Sequence, residues 1–186
     1  MFIIKSNYYL YIENTRNLDL NYIKNNKKIS IIYRNNNIQE NKEELNIFRK
    51  KCHIKGFKLY ISNNVRLLKN CKADGLYLSS FNKKTYLDKR INLIGSAHSF
   101  KEINEKIKQG CKTIFLSRLF KTSYEDKKEH LDIVKFNLLT SKFRANIVPL
   151  GGIRSSNLNK LNLVNGNGLA LFSEVKKKPV ITNRLF

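Results

Sequence analysis

No stretch of this sequence is apolar for long enough to cross a bilayer, and its apolar runs are of strand length. The first residues are interrupted by Lys5, Ser6 and Asn7, with neither the apolar segment nor the small-residue cleavage site of a signal peptide. The expectation is a cytoplasmic protein without a membrane partner. Cysteine is scarce: Cys52, Cys71 and Cys111 are odd in number, widely separated and free of CxxC spacing. That excludes a disulfide framework and gives no zinc-site spacing. Cys71 and Cys111 stand where helices run into turns and read as small apolar fillers. Also missing are a basic helix, an RNP-like segment and a zinc knuckle, so the net charge of +22 has no nucleic-acid motif to serve. The lysines are spread along the chain and mixed with asparagine and isoleucine, the mixture an A/T-rich coding sequence produces. Only Lys127-Lys128 and Lys176-Lys177-Lys178 are dense. The charge reads as a solvated outer face attractive to anions.

The most informative segment present is 147–175. A short apolar run stops at Gly151-Gly152, a polar helix-like stretch follows, and a second run enters through Gly166 and Gly168 and closes at Ser173. Strand, glycine turn, helix, strand describes a βαβ unit of a parallel sheet. The glycines either permit tight turns alone or bare N–H groups beyond the strand ends. Their recurrence on consecutive strands favours the second, because the last two loops of a (β/α)8 barrel commonly hold a phosphate.

Elsewhere, short apolar runs bounded by turn signals fall at 8–12, 29–33, 58–61, 75–78, 92–94, 113–116, 147–150 and 169–172. Segments of helical character lie between them at 18–26, 42–52, 65–72, 100–109, 132–142 and 158–164. In 42–52, Leu45 and Phe48 share one side; in 100–109, Ile103 and Ile107 stand at i and i+4, with Ser99 as N-cap and Gly110 as stop. No pair of strands reads as a hairpin. The α/β pattern predicts a compact (β/α)8 TIM barrel, a single domain over residues 1–186. After Ser173 there is no amphipathic helix, and Pro179 interrupts what remains, so the last helix is shortened or missing. The apolar flank left uncovered predicts a homodimer.

With strands and turns in this order, the chain resembles the thiamine-phosphate synthase/TenI family over nearly its full length. The family's ADGVHLGQxD signature corresponds to the run from Ala73 to Asn82, and its GxSxHSxxE segment to Gly95 through Glu102. Its GADYIGxGPxFxTxTK run is similar to Gly110 through Thr122. Its IGGI and GVAVVSAI elements match Leu150 to Ile153 and Gly168 to Ser173.

The resemblance implies a thiazole phosphate held on the last two loops, at Gly151, Gly152, Phe172 and Ser173, with Thr122 and Ser123 on the other edge. The pyrimidine-pyrophosphate half departs from the family. Ile32 and Asn36 replace a glutamine and a lysine, although Arg34 matches; Asn63 and Asn82 replace the two metal carboxylates beside Ser62; Glu125 stands where a lysine should. Mg²⁺ in such sites is usually held through carboxylates and substrate phosphates, so the chain is expected to need no cofactor, with Mg²⁺ required only by a synthase. His98, in the segment with Ser96, matches the histidine of the metal-independent thiazole tautomerases, and imidazole suits proton transfer. It can equally be a structural loop histidine. His53 and His130 read as surface residues. Three readings follow: a metal-independent TenI-like protein binding a small phosphorylated ligand; a divergent thiamine-phosphate synthase in which Arg34, Arg118 and Lys127 replace lost cations; and a non-catalytic barrel that binds a phosphorylated metabolite or an anionic partner.

Overall fold

The structure is a computed structural model describing residues 5–23, 27–35, 42–85, 88–122 and 129–171. Its framework is eight parallel strands: β1 (Asn7–Ile12), β2 (Ile29–Tyr33), β3 (Lys58–Ser62), β4 (Gly75–Leu78), β5 (Leu93–Ala97), β6 (Thr113–Ser117), β7 (Asn146–Leu150) and β8 (Gly168–Leu171). Each pairs with its sequence neighbour from β1 to β7, and β8 returns to pair with β1, Tyr8 opposite Leu169. At the seam between β7 and β8 no hydrogen-bonded ladder forms among the described residues. The backbones close there by packing: a Cβ on Gly168 would lie 2.8 Å from Val148 Cγ2. The result is a nearly closed TIM-type barrel.

Alternate residues of each strand serve two cores. Tyr9, Tyr11, Ile32, Tyr60, Tyr77, Ile94, Phe115, Val148 and Ala170 fill the barrel, while residues such as Leu10, Ile31, Leu59, Leu76, Ile114 and Leu169 pack outward against helices and loops. Burial on both faces is why the strands read as unbroken apolar runs rather than as alternation. The interior is aromatic, with Tyr9 edge-on to Phe115 at 4.8 Å and Tyr11 edge-on to Tyr77 at 5.5 Å between ring centres. Such pairs add to simple area burial.

The outer layer is thinner than expected. Four α-helices are described: α1 (Lys42–Ile54), α2 (Val65–Cys71), α3 (Phe100–Lys108) and α4 (Asp132–Thr140). The helix expected over 18–26 is instead two short 3-10 turns, Thr15–Asn17 and Leu20–Tyr22. Leu18, Leu20 and Ile23 are all buried there, a spacing that one α-helical stripe does not provide, and Asp19 accepts from the Asn21 N–H at the second turn. The helix expected at 158–164 is instead the end of a 3-10 segment, Ser155–Leu163, with Val164 as its extended C-cap. Among the described residues of 79–92 no helix joins β4 to β5. On α3, Ser99 caps the start by accepting from the Glu102 N–H, and Ile103 is fully buried, but Ile107 is 40% exposed. Lys106 takes the inward position instead. The region of the eighth helix and the tail behind the expected dimer lie outside the described residues.

All three cysteines are buried and free. Burial pushes the Cys52 thiol up to about 12 and the Cys111 thiol to about 11, from an ordinary 9.0. A raised folded-state value means this stabilisation is present below pH 9 and is lost as the pH rises through these values. The native protein is therefore expected to resist a thiol reagent at mildly alkaline pH and to react at every cysteine once unfolded in denaturant. Rapid modification of the folded chain would contradict the packing.

Candidate functional site

Polar side chains gather at the carboxyl ends of the strands, where barrels of this architecture carry their chemistry. They form two arcs around the mouth.

The first arc runs from β5 to β7. His98 follows β5 and is exposed; its Nδ1 lies 2.9 Å from Ser117 Oγ and 3.2 Å from the Ser117 carbonyl oxygen at the end of β6. Its backbone N–H donates to Glu102 Oε2 at 2.8 Å. The tautomer that donates from Nδ1 to the Ser117 carbonyl leaves Nε2 to accept a proton, while the tautomer protonated at Nε2 accepts the Ser117 hydroxyl at Nδ1. Ser96 sits one inward position below, buried in β5. Arg118 lies along the glycine turn after β7: a Cβ on Gly151 would meet Arg118 Cγ at 2.9 Å. Its guanidinium donates to Thr122 Oγ1 at 3.3 Å. The backbone of this loop continues the ladder past the strands, Leu119 N–H to Leu150 O and Phe120 N–H to Gly151 O. Gly152 (φ +70°) has no room for a side chain, since a Cβ would fall 2.3 Å from the Phe120 carbonyl oxygen. Asn157 holds the same turn by donating to the Gly152 carbonyl at 2.8 Å.

The second arc joins β3 and β4. Asn63, in the left-handed region at φ +53°, donates from Nδ2 to Ser79 Oγ at 2.8 Å and to Ser62 Oγ at 3.3 Å. Its Oδ1 accepts from the Ser79 N–H at 3.1 Å and from Asn82 Nδ2 at 3.0 Å. Asn82 Oδ1 in turn accepts from the Lys84 N–H at 3.0 Å. These two residues occupy the positions where the resemblance would place magnesium carboxylates, and they do not fit a divalent ion. Each amide oxygen is neutral and already engaged by a donor, whereas Mg²⁺ demands anionic oxygens in near-octahedral order.

Arg34 follows β2, its N–H bonded to the Ile12 carbonyl at 2.8 Å. Its charge is felt at Tyr11 inside the barrel, whose phenol burial nevertheless holds well above 10.0. Arg34 thus lies within electrostatic reach of the barrel core. His53 and His130 are exposed. Ser123, Lys127, Phe172 and Ser173, with Asn36, Glu125 and Lys128, lie outside the described residues.

Sequence reasoning passed over Ser79, Ser117, Asn157, Lys106 and Gln109. A signal existed for the two serines: Ser79 and Ser117 continue the period-two inward register of Tyr77 and Phe115 to the strand ends. A cleft of about 470 Å³ opens at the opposite end of the barrel, lined by Asn7, Arg144, Asn146 and Asn167 among others. It shares no residue with either arc.

A barrel of parallel strands with its polar side chains at the carboxyl-end mouth defines a TIM-type protein with few helices. The sequence profile described as thiamine monophosphate synthase (TMP-TENI) matches residues 20–175, and the chain belongs to that family. Among solved structures it is similar to a thiamine phosphate pyrophosphorylase from Pyrococcus furiosus, with 15% identity, a TM-score of 0.76, and coverage of 96% of this chain and 91% of that one. A thiamine phosphate pyrophosphorylase from Bacteroides thetaiotaomicron gives 14% identity and a TM-score of 0.60 over 91% and 83% of the two chains. KGPDC from Streptococcus mutans gives 12% and 0.65 over 97% and 94%. At such identities the likeness is one of fold. None of the curated proteins matches the chain.

Proposed function

We propose that this chain is a metal-independent, TenI-like member of its family, which binds a thiazole phosphate on the β5–β7 arc and moves a proton on a thiazole carboxylate phosphate through His98. The observation that carries the reading is the continuity of that arc. Ser117 contacts His98, the next residue Arg118 lies along Gly151, and Arg118 reaches Thr122. A guanidinium, a hydroxyl and a glycine turn are the donors a phosphate dianion requires. An exposed imidazole held at Nδ1 by Ser117 stands beside them, an arrangement suited to moving a proton on a ligand anchored by its phosphate. The family resemblance adds the Gly152 amide to this cradle, with those of Phe172 and Ser173, which lie outside the described residues.

The β3–β4 arc supports the metal-independent half of the reading. Calorimetric titration with pyrimidine pyrophosphate is expected to give the same weak heats with and without Mg²⁺. Tight binding that requires the metal would favour the divergent synthase, with Arg34, Arg118 and Lys127 supplying the cations. Following a thiazole carboxylate phosphate by proton NMR tests the reaction itself: the signal of its tautomer should grow in metal-free buffer containing the protein.

A further inference from the structure

Lys106 is the one buried lysine among the described residues, with 0% of its surface exposed. A buried ammonium is costly unless every N–H finds an acceptor. Here each of the three does: Nζ donates to the Ser79 carbonyl at 2.8 Å, to the Asn82 carbonyl at 2.8 Å and to Gln109 Oε1 at 2.9 Å. Gln109, also buried, turns its amide nitrogen to the Asn82 carbonyl at 2.9 Å and the Lys84 carbonyl at 2.8 Å. Room for the lysine stem comes from Gly95 on the outer face of β5, where a Cβ would lie 2.9 Å from Lys106 Cδ.

The acceptors are not scattered. All the backbone carbonyls belong to the loop after β4, the loop whose Ser79 and Asn82 side chains meet Asn63 at the mouth. The loop has no helix among its described residues to hold it, and Asn82 N–H bonds back to the Ser79 carbonyl at 3.0 Å. One continuous hydrogen-bonded path therefore leads from the outside of the barrel wall, through Lys106 and Gln109, to the side chains that line the β3–β4 arc.

We propose that Lys106 is a positioning residue that assembles the β3–β4 rim of the mouth from behind, so that Asn63 and Asn82 are brought together by an internal cation and the rim forms without a bound ion. The ammonium does not reach the mouth itself; it acts through the carbonyls of residues 79 and 82. This does not depend on which ligand the β5–β7 arc holds.

The test is NMR of the ¹⁵N-labelled full chain. In the wild type the Lys106 ammonium should give a slowly exchanging signal, and the Asn63 and Asn82 side-chain amides should be shifted from free asparagine and unmoved by added Mg²⁺. In Lys106→Met these two amide signals should move to the free position, with exchange at least tenfold faster, while the backbone signals of β6 to β8 stay in place. Ile103→Val, a neighbouring core change on the same helix, should lower the melting temperature and leave both signals alone. If Lys106→Met does not fold, Gln109→Leu carries the comparison, since it removes the loop's other anchor. A fast-exchanging ammonium in the wild type would overturn the proposal. So would asparagine signals that stay put in a folded variant, that shift with Mg²⁺, or that respond equally to Ile103→Val.

Discussion

Replacing His98 with asparagine is expected to lower turnover of a thiazole carboxylate phosphate by about a hundredfold or more, while thiazole-phosphate affinity changes little. General acid–base catalysis by a positioned side chain contributes roughly 10² to 10⁴ in rate, and a hundredfold corresponds to about 2.7 kcal/mol of barrier. Asparagine is close to isosteric with part of the ring and can keep a contact to Ser117, which sits 2.9 Å from Nδ1. The arc at Arg118, Thr122 and Gly151 should therefore survive, and only the imidazole base is lost. Steady-state kinetics beside a binding isotherm separate the two effects. Equal losses in turnover and affinity would make His98 a structural loop residue; unchanged turnover would remove it from the chemistry.

The largest effect on the scaffold is expected at Gly152. Alanine there combines two costs. A φ of +70° disfavours any Cβ, and that Cβ would fall 2.3 Å from the Phe120 carbonyl oxygen and 2.7 Å from that of Lys121. Those are backbone atoms, locked to the β7 turn by the Phe120–Gly151 bond, so they cannot swing aside as a side-chain tip would. Backbone strain alone costs about 1–3 kcal/mol, and the clash adds to it. A loss of about 3 kcal/mol lowers the melting temperature of a chain this size by about 6–12 °C. Phosphate-ligand affinity should fall about tenfold or more, because Arg118 and Thr122 ride on the displaced loop. Gly110→Ala is the control. Its φ is +85°, but the nearest atom to a Cβ is Leu93 Cδ1 at 4.0 Å, so it should cost only about 1 kcal/mol. Equal effects at the two glycines would mean that the loop does not pack on Gly152 as described.

The strands were legible because a parallel barrel buries both of their faces, and an apolar run between turn residues leaves little else for such a segment to be. Boundaries slipped where polar residues continue a strand into the mouth, as at Ser117 and at Ser96-Ala97 in β5. The outer layer was less legible. Between Leu18 and Ile23 burial follows two turns capped by local hydrogen bonds, and no helical period announces that. On α3 the inward side of the helix was misjudged by one residue because a lysine is not expected inside. The carbonyls of a loop some 24–27 positions away in sequence, together with Gln109 Oε1, make that burial tolerable.

The candidate site divides in the same way. His98 and the glycine turn were visible as residues of suitable chemistry at strand ends, and Thr122 through the family resemblance. That Arg118 would lie across Gly151 was not, because the contact joins loops from different strands. Asn63 and Asn82 stood out only for the carboxylates they lack. Their mutual hydrogen bond depends on β3 and β4 lying side by side, with Asn63 in a left-handed turn, and neither local propensity nor spacing reports such a meeting.

The central claim is that the β5–β7 arc holds a thiazole phosphate without metal. Calorimetric titration of the full chain with thiazole phosphate in chelator-treated buffer tests it most directly. Saturable binding should appear there, weaken with added inorganic phosphate, remain unchanged when Mg²⁺ is supplied, and weaken in Arg118→Ala. Absence of binding without Mg²⁺, or binding indifferent to both inorganic phosphate and Arg118→Ala, would contradict it.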